Sequence, residues 1–150
     1  LVTGAVHGFD SFEGLPEAWG GTFERKGKFS QHGNLPSVPE NVQLHVGWFD
    51  QTLPAFLAGL EKAGGAPQPV AFLHVDCDIY SSTRIVLAGL AERIIPGTVI
   101  VFDEYFNYPN WQRHEYRAFQ EFVAARGLRY GYLGFSVKNG HVAVRIEPAR

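Results

Sequence analysis

Two short apolar runs in this chain each end in an acidic cluster. Val70-Ala-Phe-Leu-His-Val75 leads into Asp76-Cys77-Asp78, and Thr98-Val-Ile-Val-Phe102 leads into Asp103-Glu104. Neither run alternates apolar with polar residues, which is the pattern of parallel strands covered on both faces. A helical pattern lies between them, so the pair reads as a β-α-β unit with its two strands side by side. An ionised carboxylate beside a dry core is costly unless it is paired. A divalent cation pairs several at once. The competing reading takes these acids as helix caps and solvated loop residues, as single Asp residues after strands commonly are; four together favour the metal.

The rest of the chain fits the same plan. Its 150 residues suit one domain, and 45% apolar against 19% charged residues is globular composition. Strands are expected at 5–10, 42–47, 70–76, 98–103, 129–136 and 141–146. Helices are expected at 53–63 (Thr52 as N-cap, Pro54 in the first turn), at 82–95 (capped by Ser81 or Ser82) and at 111–126. Asn139-Gly140 marks a hairpin turn. This alternation predicts an α/β fold: a doubly wound, mostly parallel sheet with helices on both faces and a terminal antiparallel hairpin. Residues 11–41 lack periodicity and read as a lid, with one helical turn near Glu17–Trp19.

Ligands in such sheets bind at the carboxyl ends of the strands. Asp10, Gly47, Asp76 and Asp103 all fall at such ends. Asp76 and Asp78 reach one ion if the chain turns there, and hard oxygen ligands suit Mg²⁺, Mn²⁺ or Ca²⁺ rather than Zn²⁺. Asp10 is placed to hold a ribose or to be a loop acid. Trp48 or Phe49 would stack on an adenine or pack in the core. His74 reads as a core histidine, His114 as a helix-surface residue, and Cys77 as a small buried residue without a histidine to activate it.

The net charge of −2 implies no strong attraction to nucleic acid or an anionic membrane. The single cysteine rules out an internal disulfide and fits a reducing cytoplasm. No nucleic-acid or membrane partner is therefore expected, and a second copy in a homo-oligomer stays an open option.

Four segments together carry a resemblance to a known family. They are Gly8-Phe-Asp-Ser-Phe-Glu-Gly-Leu-Pro-Glu17, Gly47-Trp-Phe-Asp-Gln-Thr-Leu-Pro54, Leu73-His-Val-Asp-Cys-Asp-Ile-Tyr-Ser-Ser-Thr83 and Phe102-Asp-Glu-Tyr105. In this order, over nearly the whole chain, they resemble the macrocin O-methyltransferase family, class I enzymes that use S-adenosylmethionine. The resemblance implies a Rossmann-like sheet with a reversed terminal hairpin. It implies Mg²⁺ held by Asp76, Asp103 and Glu104. It implies that Asp10 holds the cofactor ribose, that Ser11 also binds the cofactor, and that the turn of Gly47, Trp48, Phe49 and Asp50 lies near adenine. It implies a small-molecule hydroxyl substrate, methylated at a sugar hydroxyl of a natural product, with Asp76 or Asp78 taking the proton.

The family's glycine-rich turn, and the central strand before it, have no counterpart in this chain. The chain also holds no Met and opens Leu1-Val2-Thr3. The expectation is therefore a C-terminal fragment, or direct pairing of the strands at 5–10 and 70–76, with weak S-adenosylmethionine binding. Two rivals stand beside this reading. Asp76-Cys77-Asp78 is also the Asp-x-Asp of metal-dependent glycosyltransferases. A catalytically inactive, methyltransferase-like interaction domain would tolerate the lost glycine turn.

Overall fold

The computed structural model describes residues 4–62 and 68–149. Six strands and three α-helices follow in the order β1 (Val6–Asp10), β2 (Val42–Val46), α1 (Phe49–Lys62), β3 (Phe72–Val75), α2 (Tyr80–Gly89), β4 (Val99–Phe102), α3 (Glu115–Arg126), β5 (Arg129–Phe135) and β6 (Val142–Glu147). Short 3₁₀ turns occupy Ala91–Arg93 and Trp111–Arg113.

β3, β4, β6 and β5 form one sheet in that spatial order. β3 and β4 run parallel, with Val75 opposite Phe102; β6 is antiparallel to β4 and to β5. β6 sits between two partners, and its period-2 pattern buries Val142, Val144 and Ile146 on one face. Its hairpin partner β5 carries an irregularity between Tyr132 and Gly134. β1 and β2 make a separate parallel pair. Among the described residues no ladder joins β1 to β3, so direct pairing of these two strands is not what forms.

The core lies on one face of the larger sheet. Val75, Ile100, Phe102, Val144 and Ile146 from the strands meet Val86 and Leu87 of α2, Phe119 and Val123 of α3, and Leu53 of α1. The continuous apolar run at 70–75 was expected to be covered on both faces. β3 instead exposes Phe72 (61%) and His74 and buries Val75. Leu73 and Val75 face the core cluster, while the opposite face, with Phe72 and His74, is left uncovered by it.

Local signals were right about the existence of the helices and wrong about their caps. Thr52 lies inside α1, where its Oγ1 donates to the Trp48 carbonyl at 3.0 Å. α2 starts at Tyr80 with Ile79 at the cap position. Ser81 reaches across to Glu17 instead, at 2.6 Å, and Ser82 is buried. The continuous helix expected over 111–126 breaks at His114, whose non-helical backbone (φ −113°, ψ −125°) separates the 3₁₀ turn from α3. The expected helical turn at Glu17–Trp19 does not form; Leu15 and Trp19 pack as single anchors against Ile79 and Tyr108. Among the described residues no helix is long and apolar enough to cross a membrane.

Gly140 ties the terminal hairpin to the loop after β4. Its carbonyl accepts the Tyr105 amide at 3.1 Å, its φ is +78°, and a Cβ there would collide with the Phe106 carbonyl oxygen. Gly140→Ala is expected to destabilise the chain by at least about 1–2 kcal/mol, the left-handed backbone penalty alone. Urea unfolding checks this; an unchanged midpoint at constant slope would overturn it.

Candidate functional site

Parallel pairing sends the carboxyl ends of β1 and β2, and those of β3 and β4, toward one cavity of about 490 Å³. One wall carries Asp10, Ser11, Gly47, Trp48 and Phe49; the other carries Asp76, Cys77, Asp78, Asp103 and Glu104. The loop after β1 adds Leu15, Trp19 and Phe29. All the candidate residues named from the sequence line this space except Asp50, which is exposed in the first turn of α1.

On the first wall, Asp10 Oδ1 accepts the Phe12 amide at 2.7 Å, leaving its second oxygen for a ligand. The Gly47 amide donates to the Asp10 carbonyl at 2.9 Å, which locks the two strand ends together. Gly47 has φ +138°, a conformation that glycine adopts without strain, and the chain turns there into Trp48.

On the second wall, Asp76 follows β3 directly and stands exposed at its tip. Asp78 has φ +64°, and the Ile79 amide bonds the Cys77 carbonyl at 2.6 Å around it. That is a three-residue turn, sparsely populated outside functional sites. It delivers Asp78 to the cavity and releases the chain into α2.

Ligand atoms of His74, Asp76 and Asp103 lie within 4.8 Å of one another. His74 Nε2 is 3.6 Å from Asp103 Oδ1, and His141 Nε2 is 3.3 Å from the same oxygen. His74 is thus no core histidine: on an exposed face of β3 its ring is free to turn toward the acids. Glu104 lines the same cavity but stands outside this tight group. His114, read as a surface residue, is buried, and its Nε2 donates to the Gly20 carbonyl at 2.8 Å. That bond pins the loop to α3.

The carboxylates raise one another. Although Asp76 is exposed to solvent, partial desolvation of its carboxyl among the neighbouring acids, then the charge of Asp103, holds it above the usual carboxylate range, while His74 and His141 oppose the shift. Burial, then Asp76 and Glu104, pushes Asp78 up to about 7. Burial, then Asp103 and Asp76, pushes Glu104 to about 7. Excess negative charge with a mixed imidazole and carboxylate donor set fits a divalent cation such as Mn²⁺ or Mg²⁺. Burial also pushes the Cys77 thiol far up, and its Sγ sits 3.5 Å from Thr83 Oγ1, so it is no nucleophile.

Two site residues escaped the sequence reading. His141 follows the hairpin turn, and only the folding of β6 against β4 brings it to Asp103. Glu115 had a legible signal: it shares the 3–4 spacing of Ala118, Phe119 and Phe122, the face that packs inward.

Asp78 and Glu104 hold protons up to about pH 7 in the folded chain but release them near pH 4 when unfolded. The folded state therefore binds more protons between these values, and metal-free stability falls as pH rises from about 4 and levels off above about 7; Glu115, pushed up to about 8 by burial, extends the fall slightly. Melts in chelator are expected to show this fall, and Asp78→Asn to make it shallower. An equally steep fall in the variant would refute the assignment.

Comparisons with known proteins meet this geometry. Residues 2–105 match a family model described as a methyltransferase domain. An alignment of 114 residues, covering 64% of this chain and 40% of the relative, gives 30% identity to the 8-demethyl-8-(2,3-dimethoxy-alpha-L-rhamnosyl)-tetracenomycin-C 4'-O-methyltransferase of Streptomyces olivaceus. The crystal structure of the calicheamicin methyltransferase CalS11 superposes with a TM-score of 0.70 at 21% identity, over 94% of this chain and 60% of that one. The O-methyltransferase NovP gives 0.64 at 21%, over 96% and 60%. These structures share the Rossmann-like fold; the chain spans 40% to 60% of the lengths of these three relatives.

Proposed function

Because this chain belongs to the methyltransferase domain family, we propose that it forms part of an S-adenosylmethionine-dependent, Mg²⁺- or Mn²⁺-assisted O-methyltransferase acting on a sugar hydroxyl of a natural product. One observation carries the reading. Asp76 and Asp103, with His74, offer ligand atoms within 4.8 Å of one another, and Asp78 and Asp10 line the same cavity. The rhamnosyl O-methyltransferase among the relatives supports a sugar acceptor. The setting is a reducing cytoplasm, where Cys77 stays a thiol.

Bound at Asp76 and Asp103, with His74 or Glu104, a divalent cation supplies Lewis acidity that lowers the pKa of a hydroxyl, and S-adenosylmethionine supplies an electrophilic methyl group. The protein's own groups do the rest. Asp10, through its free oxygen, and Ser11 hold the ribose; Trp48 and Phe49 flank the adenine. Asp78 lies outside the tight ligand group yet lines the same cavity, which suits its carboxylate to the role of general base. Asp78 would take the proton from the acceptor hydroxyl, and the methyl group for that oxygen would come from S-adenosylmethionine. Residues 11–41 act as a lid that excludes water, pinned by Trp19 against Tyr108 and by Glu17 on Ser81.

Transfer of labelled methyl from millimolar S-adenosylmethionine to rhamnosylated acceptors tests the reading. Asp76→Ala and chelator are each expected to abolish transfer. Asp78→Asn is expected to lower kcat by about 10²–10⁴ with KM little changed. Undiminished transfer in chelator would sink the metal assignment. Hydrolysis of a UDP-sugar would favour the glycosyltransferase, and cation binding without turnover the inactive interaction domain.

A further inference from the structure

Glu115 is the first residue of α3 and is 0% exposed. Its Oε1 accepts the Cys77 amide at 3.3 Å, and its Oε2 accepts the Glu104 amide at 3.1 Å. Those two N–H groups belong to the peptide units that join Asp76 to Cys77 and Asp103 to Glu104. One rigid carboxylate thus spans the backbones of both acidic loops, directly behind the two aspartates.

We propose that Glu115 is a positioning residue that fixes the separation of Asp76 and Asp103, and with it the size of cation the site accepts. The proposal rests on the metal reading given above. Its physical basis is the donor count. Both loops present N–H groups to the same side chain, so the bridging group must accept twice. A carboxylate does so; a carboxamide accepts once and turns an NH₂ toward the other donor. Burial pushes the Glu115 carboxyl up to about 8, while the Glu104 and Cys77 amides and the N-terminus of the 12-residue helix favour the ionised form that accepts from both loops. A buried charge held only for packing would be replaceable by an apolar residue of similar volume. This one has its two acceptor atoms committed to the two loops that carry the ligands.

The consequence is selective. Mg²⁺ demands near-ideal octahedral geometry at short distances, whereas Ca²⁺ accepts longer and more variable ones. Loosening the brace lets Asp76 and Asp103 drift apart, which penalises the small ion and leaves the large one little affected.

The test measures Mn²⁺ binding by electron paramagnetic resonance, with Mg²⁺ and Ca²⁺ as competitors, in the wild-type chain, Glu115→Gln and Glu115→Asp. Asp103→Ala serves as the ligand-loss control. Glu115→Gln is expected to weaken Mg²⁺ by about 10–100-fold, as outer-shell partners typically do, with Ca²⁺ little changed, so that the Mg²⁺ preference collapses. Glu115→Asp keeps the charge but is too short to bridge; it is expected to behave like Glu115→Gln, and it carries the test alone if the amide variant fails to fold. Equal losses for both ions, or no loss, with wild-type binding intact would overturn the positioning role alone. No cation binding by the wild-type chain would overturn the metal reading, and this proposal with it.

Discussion

The parallel register of β3 and β4 is the constraint on which the site depends. Val75 lies opposite Phe102, and the Asp103 amide bonds the Val75 carbonyl at 2.9 Å. Asp76 and Asp103 therefore leave their strands side by side, at one edge and at one height. An antiparallel pair would send them to opposite edges. The β-α-β connection through α2 is what makes the parallel arrangement available to two runs so close in sequence.

Gathering acids at one edge is unfavourable by itself, and the surrounding fold is organised around that cost. His74 and His141 approach Asp103 from β3 and from the hairpin. Glu115 supplies no positive charge but holds both loop backbones. The left-handed turn at Asp78 keeps a further carboxylate at the cavity wall rather than in solvent. Each device comes from a different part of the chain, and each converges on the same few ångströms.

The loop over 11–41 shows how an irregular segment is ordered without secondary structure. Leu15 and Trp19 supply apolar anchors, the Leu15 amide bonds the Lys28 carbonyl, and the Gly27 amide returns to the Leu15 carbonyl. His114 binds the Gly20 carbonyl from α3. The break between the 3₁₀ turn and α3 thereby gains a purpose: His114 leaves helical geometry at the residue whose ring holds the loop.

Much of this was legible beforehand. The strands were found within about two residues, because apolar runs and the period-2 pattern of β6 record burial directly. Asp10, Gly47, Asp76, Asp78, Asp103 and Glu104 were all named because acids and glycines at strand ends leave a local mark. Misreadings came where a side chain's partner is remote in sequence. Ser81 bonds Glu17 rather than capping α2, His114 reaches back to Gly20, and His74 lies on the face of β3 that the core cluster leaves uncovered. The sequence by itself determined the alternation of elements, the acidic strand ends and the family resemblance, since these follow from short-range periodicity and motif order. Only the tertiary structure decided that His141 joins Asp103 and that Glu115 braces both acidic loops. Such contacts join residues 11 to 38 positions apart in the chain, and no local pattern encodes a distance set by how a sheet and a helix pack.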